Sequence, residues 1–282
     1  MRIAVLSDIH GNLPALNQVI KDLESRSPDL IVINGDMINQ GPQPLECLER
    51  LHETAQKYQI NFVRGNHEDY VLDYVRNPQR ELSVPLQLYY APAEWTAGVI
   101  PKAILDEIAL WPQEFVLSEP EGLIHFTHAS VHSNADGINA NLTMEQMSEK
   151  VNPEADIFVT SHTHVPFKLQ HDRMVVVNTG SVGRPLDGNL AASYIWIEYM
   201  PTAGRWNCEI IRVPFAVDAI LKELARPHFR DACGPFHELL FKEHQTGQGM
   251  FPVWRRKFLQ EYLSGGISAA ESIRQLIEHR SL

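Results

Sequence analysis

Residues 1–12 read MRIAVLSDIHGN. The apolar run at positions 3–6 has the length of a buried strand. It ends in an acid and an imidazole two residues apart, Asp8 and His10, followed at once by Gly11 and Asn12. Leu13, Leu16, Val19, Ile20 and Leu23 then recur at helical spacing, with Asn12 placed to cap that helix. DLIVINGD (29–36) reads as a second buried strand, a helix follows over about 45–58, and INFVRGNHE (60–68) reads as a third strand running into a polar turn. Strands joined through helices pair in parallel with a right-handed crossover. Sheets of this kind place ligand sites at the carboxyl ends of their strands. All three strands end in polar clusters: Asp8 and His10, Asp36, and Asn66 with His67.

Downstream, YVLDYV, LQLYYAPAEW and KAILDEIALW read as a mostly helical, cap-like insertion over about 70–112. EFVLSE, GLIHFTH, DIFVTSHTH, RMVVVNTGSVG, SYIWIEYM and WNCEIIRVPF run apolar or alternate between turn residues, which predicts a second sheet built of hairpins. From residue 217 the pattern is helical again, and Ser268 with Glu271 forms a capping box for the last helix. The fold class is therefore α/β. The division is a domain over 1–216 and a helical C-terminal extension over 217–282 packed on it.

Composition excludes several function classes. The 282 residues carry a net charge of −11 and 44% hydrophobic content. An acidic balance disfavours a nucleic-acid surface, which needs basic patches. No apolar run reaches the length of a membrane span, and Met1 leads straight into a strand rather than a signal sequence. The cytoplasm is the expected location. Cys47, Cys208 and Cys233 make no CxxC pair and read as reduced thiols.

Alone, Asp8 and His10 are a weak signal, since an acid capping a helix beside a surface His would read the same. The other strand ends change the balance. Asp36 follows Gly35, Asn66 and His67 follow Gly65, His128 ends GLIHFTH, and His162 and His164 end DIFVTSHTH. Carboxylate and imidazole together suit a divalent first-row metal.

The series SDIHGN, NGDMINQG, RGNHEDY, FTHAS and SHTH resembles, in order and spacing, the five motifs of the calcineurin-like metallophosphoesterases. NTGSVGRP (178–185) is similar to an element of the small bacterial and archaeal phosphodiesterase-type members. The resemblance covers about residues 1–215. It implies a four-layer α/β/β/α sandwich of two mixed sheets and a dinuclear centre. Asp8, His10, Asp36 and His164 would hold one divalent metal. Asp36 would bridge to a second, held also by Asn66, His128 and His162. The implied reaction is hydrolysis of phosphomono- or phosphodiesters by a water that loses its proton between the two cations, with His67 stabilising the transition state or protonating the leaving oxygen. Mn is the first candidate metal, and Fe, Zn, Co and Ni suit the same donors.

Asn12, Arg64 and Arg184 are the candidate phosphate contacts. Tyr89, Tyr90 and Trp95 read as packing of the insertion, with stacking on a substrate base as the rival. His125 lies three residues before His128 on a strand, faces the other way and reads as structural; His132 is a rival to His128. The relatives that act on proteins read GDxVDRG where this chain has GDMINQG, so Asn39 replaces an acid that would orient His67 and Gln40 replaces a phosphate-gripping Arg. A protein phosphatase is disfavoured on that ground. A dinucleoside polyphosphate hydrolase and a metal-binding scaffold with weak turnover are the remaining alternatives. The substrate is a small phosphoester, of nucleotide type in one reading, and the C-terminal helices are a candidate surface for self-association.

Overall fold

In the computed structural model, which describes residues 1–78 and 84–280, the elements follow in the order β1 (Arg2–Leu6), α1 (Leu13–Arg26), β2 (Leu30–Asn34), α2 (Pro44–Ala55), β3 (Gln59–Val63), α3 (Asn66–Arg76), α4 (Val84–Val99), α5 (Lys102–Ile108), β4 (Glu114–Glu119), β5 (Gly122–Thr127), α6 (Met144–Lys150), β6 (Ile157–Thr160), β7 (Phe167–His171), β8 (Met174–Asn178), β9 (Ala192–Met200), β10 (Arg205–Val213), α7 (Val217–Leu224), α8 (Pro227–Cys233), α9 (His237–Thr246), α10 (Phe251–Leu263) and α11 (Ala269–Arg280). They form two five-stranded mixed sheets, ordered β10-β9-β1-β2-β3 and β4-β5-β6-β8-β7. Residues 79–83 of the expected 70–112 insertion, and the side chain of Tyr89, lie outside the described residues.

The sheets face each other across an apolar layer. Ile3, Val5 and Val32 of the first sheet meet Ile124, Phe126 and Val159 of the second. The other face of the first sheet is covered by α1, α2, α4 and α5, and α6 lies on the outer face of the second. Strands β1, β2 and β6 carry continuous apolar runs, Ile3 to Leu6, Leu30 to Ile33 and Ile157 to Val159, because both faces are buried there. Helix α1 starts as expected: Asn12 Oδ1 accepts the Ala15 N–H at 3.1 Å.

One expectation is corrected. SYIWIEYM and WNCEIIRVPF do not join the second sheet. They form β9 and β10, and β9 runs antiparallel to β1 in the first. Tyr194, Ile195, Trp196 and Ile197 are all buried. Such a run needs cover on both faces, and the flank of β1 supplies it: Ile195 and Ile197 enter the layer between the sheets while Tyr194 and Trp196 face the helices. The second sheet is not hairpins throughout either, since β5-β6 and β6-β8 pair in parallel.

The C-terminal helices build their own aromatic core, in which Phe236, Trp254 and Tyr262 pack edge to face. Trp95 of α4 packs against Phe229 of α8, tying the extension to the insertion. No helix among the described residues is long and apolar enough to cross a membrane.

Phe126 is fully buried between the sheets and stacks on Phe115 with centroids 5.5 Å apart. Phe126→Ala is expected to lower stability by about 3–5 kcal/mol through lost burial and a cavity, read as a shift of the denaturant midpoint.

Candidate metal centre

The carboxyl ends of β1, β2 and β3 in one sheet and of β5 and β6 in the other converge on one edge of the sandwich, and each delivers a polar side chain there. The loops that do this are strained. Asp8, His10, Asp36, His162 and His164 all have positive φ, between 47° and 67°, a region that costs a residue with a side chain about 1–2 kcal/mol. Neighbouring bonds hold them there. Asp8 N–H donates to the Gly35 carbonyl at 3.0 Å, His10 N–H to that of Asp36 at 3.1 Å, and Gly11 N–H to that of Met37 at 3.0 Å. Gly35 and Gly65 are required by close approach: a Cβ on Gly35 would lie 2.4 Å from His128 Nδ1, and one on Gly65 would lie 2.2 Å from Asp36 Oδ1.

Three imidazoles have their tautomer fixed by backbone. Nδ1–H of His10 donates to the Asn39 carbonyl at 3.0 Å, that of His128 to Asn34 at 2.8 Å, and that of His164 to Arg184 at 2.6 Å. Each therefore turns its Nε2 inward, the arrangement that orients metal-binding histidines. His10 Nε2 and His164 Nε2 lie 3.2 Å apart. His164 Nε2 is 3.1 Å from Asp8 Oδ1, and His128 Nε2 is 3.1 Å from Asp36 Oδ2. Neither contact has hydrogen-bond geometry, so Asp8 Oδ1 and His128 Nε2 are buried without hydrogen-bond partners. Burial penalises the Asp36 carboxylate, but His128, His67 and His10 around it hold its pKa well below the usual range. Burial works against the His128 imidazolium as well, yet Asp36 and Asp8 push its pKa up to about 10.

Facing lone pairs and a shared buried carboxylate fit divalent cations better than they fit each other. Two groups of donor atoms, each within 4.8 Å of one another, have that composition: Asp8, His10, Asp36 and His164, and Asp36, His128 and His162. Asn66 adjoins the second, with its Oδ1 2.8 Å from His162 Nδ1.

The centre floors a pocket of about 480 Å³. Its walls include Asn39, Gln40, Tyr70, Tyr90 and Arg184, together with Phe251 and Arg255 of α10. His67 lines it with its Nε2 4.0 Å from Asp36 Oδ2. Burial lowers the His67 pKa to about 4. Asn39 fixes its tautomer. Asn39 Oδ1 accepts the Gln40 N–H at 2.8 Å, so its Nδ2 donates to His67 Nδ1 at 3.0 Å and the ring proton sits on Nε2.

The expected phosphate contacts have partners within the protein. Asn12 is fully buried; its Nδ2 donates to the Gly183 carbonyl at 2.7 Å and its oxygen caps α1. Arg64 pairs with Asp69 at 2.8 Å and donates to the Ala109 carbonyl at 2.8 Å, away from the pocket. Arg184 lines the pocket, but its guanidinium meets Gln40 and Glu243. His125 bonds Glu114 and His132 bonds the Glu149 carbonyl. Trp95 packs on α8 rather than lining the pocket.

Glu68, the residue after His67, is not among the candidates named from the sequence. It is fully buried, and its carboxylate accepts four backbone N–H groups, from Asp36, Met37, Ile38 and Gly65, at 2.8–3.1 Å. It clamps the loop carrying Asp36 to the loop carrying Asn66. Burial and the Asp36 charge push its pKa up to about 7.

The chain belongs to the calcineurin-like phosphoesterase superfamily. The family model for that domain matches residues 1–200. An uncharacterized protein of Methanocaldococcus jannaschii is 28% identical over 79% of this chain and 92% of its own length. Phosphodiesterase YfcE of Escherichia coli is 28% identical over 68% of this chain and 85% of its own. A solved metallophosphoesterase from Sphaerobacter thermophilus superposes with a TM-score of 0.65 at 24% identity, covering 88% of this chain and all of its own (100%). Its likeness shows that the fold is shared. The chain is thus a metal-dependent phosphoesterase of that superfamily, and the motif segments that carry the resemblance are those at its strand ends.

Two outcomes follow for this phosphoesterase. Glu68→Gln replaces one acceptor oxygen of the clamp with a donor, and is expected to weaken divalent-metal affinity by about 10–100-fold, the scale for partners that orient ligands; titration with a metal indicator reads it. His244 lies buried beside Arg184, and burial lowers its pKa to about 4 from 6.5. Above pH 6.5 the group is neutral folded or unfolded and contributes no pH dependence. Below it the unfolded chain takes up the proton and the folded one does not, so stability falls until about pH 4, by on the order of 3 kcal/mol from this group. His244→Gln is expected to flatten that part of a plot of Tm against pH.

Proposed function

We propose that the chain hydrolyses small phosphomono- or phosphodiesters at a centre of two divalent cations. The observation that carries this is Asp36, one carboxylate common to both groups of donor atoms. In this reading Asp8, His10, Asp36 and His164 hold one cation, and Asp36, Asn66, His128 and His162 the other. The bound cations supply positive charge for the phosphate oxygens and lower the pKa of a coordinated water.

The chain's own groups do the rest. Carbonyls of Asn39, Asn34 and Arg184 accept from Nδ1 of His10, His128 and His164 and keep each Nε2 aimed inward. His67 presents an Nε2–H to the pocket. Because Asn39 donates to its Nδ1, the ring acts as a neutral hydrogen-bond donor to a phosphoryl or leaving oxygen, and the transition-state role is favoured over delivery of a proton. An acid in place of Asn39 would instead accept from Nδ1 and favour the imidazolium. The pocket's walls leave room for a small ester rather than a folded protein.

The test is hydrolysis of bis-p-nitrophenyl phosphate and p-nitrophenyl phosphate by protein stripped of metal and refilled with Mn²⁺, with metals counted by elemental analysis. The expected result is two metals per chain and Mn²⁺-dependent turnover. His67→Ala is expected to keep both metals and lower kcat by about 10²-fold or more. Metal-independent turnover, or a single metal per chain, overturns the reading.

A further inference from the structure

We propose that α10 of the C-terminal extension supplies a second anion-binding subsite, centred on Arg255, so that the preferred substrate carries a planar ring and a second negatively charged group besides the phosphoester that is cleaved. This rests on the reading of the pocket as the phosphoester site.

Two cationic side chains, Arg184 and Arg255, line the pocket among the described residues. Arg184 is spoken for. Its Nε is 3.4 Å from Oε2 of Glu243, which is fully buried, and its Nη1 donates to Gln40. A buried carboxylate neutralises that guanidinium inside the protein. The same Glu243 accepts the N–H groups of Met250 and Phe251 through Oε1, each at 2.8 Å, and so fixes the start of α10 against the pocket.

Arg255 is different. It makes no ion pair or hydrogen bond among the described residues, and it lines the pocket together with Tyr70 of α3. Phe251 and Arg255 are four residues apart, on one face of α10. Tyr70 and Tyr90 line the same pocket and pack edge to face at 5.9 Å and 74°. Tyr side chains in a pocket wall suit a planar ring, and a guanidinium without a carboxylate partner is suited to a phosphate or carboxylate oxygen. In a chain with a net charge of −11 such a cation also offsets the general repulsion of an anionic substrate. Both α10 residues lie beyond residue 200, where the family model ends, so the subsite is a property of the extension.

The test is calorimetric binding of AMP, ADP and adenosine 3′,5′-bisphosphate to the Mn²⁺-loaded protein, to Arg255→Gln and to Arg256→Gln. Arg256 is an exposed neighbour outside the pocket, and its substitution removes the same net charge. The expected result is that at least one doubly phosphorylated nucleotide binds the unaltered protein about tenfold or more tighter than AMP, the scale of one charge-assisted hydrogen bond. That preference should disappear in Arg255→Gln and persist in Arg256→Gln. Equal affinities in the unaltered protein, a preference that survives Arg255→Gln, or equal losses in both variants would each overturn the subsite. Ester hydrolysis measured on the same preparation separates the two readings: absent turnover counts against the phosphoesterase centre, whereas turnover with equal affinities counts against the subsite alone.

Discussion

Asp36 brings a carboxylate, almost fully buried, within 3.1–4.0 Å of three imidazole nitrogens, those of His128, His10 and His67. A charge in that position is costly unless it is compensated, and the surrounding structure is organised to compensate it. Its Oδ1 accepts the His67 N–H at 2.9 Å. Its own N–H is held by Glu68, which also holds the two residues that follow. The glycines on either side, Gly35 before it and Gly65 across from it, leave no Cβ where His128 and the carboxylate pass. Left-handed backbone at five of the seven expected ligands is sustained by these contacts and by the ladder between the β1 and β2 loops. Strain of this kind persists only where neighbouring structure over-determines it, and it collects at functional sites.

The extension beyond β10 takes part in this arrangement rather than simply covering it. Its aromatic core is largely its own, with Trp254 donating to Ser272 Oγ at 2.8 Å. Its link to the centre is polar. Glu243 reaches Arg184, and the Arg184 carbonyl holds His164. One chain of contacts therefore runs from α10 through α9 to an imidazole of the centre. The pocket wall and the orientation of that ligand share an anchor.

Part of this arrangement is legible in the amino-acid sequence. The strand-helix alternation, the helix cap at Asn12, and the polar residues ending successive strands are local signals, set by periodicity and turn chemistry over a few residues. Gly35 and Gly65 belong with them, since a turn residue at a strand end is visible in the chain. The identities of the candidate ligands are legible for the same reason: each sits within five residues of the end of an apolar run.

Partner choice is not legible there. Asn12, Arg64 and Arg184 are polar residues beside motifs, and each resolves into a strut or an ion pair; the other half lies far along the chain for Asn12, at Gly183, and for Arg184, at Glu243. β9 reads like any apolar strand, and only the open flank of β1 decides which sheet it joins. Glu68 reads like an ordinary helix-start acid, yet the β2 loop closes over it from 30–32 residues away. The sequence by itself determined which side chains stand at strand ends, because that follows from neighbours in the chain. The tertiary structure decided which of them share a point in space and which charges are already matched, because those depend on distances between segments that no local pattern encodes.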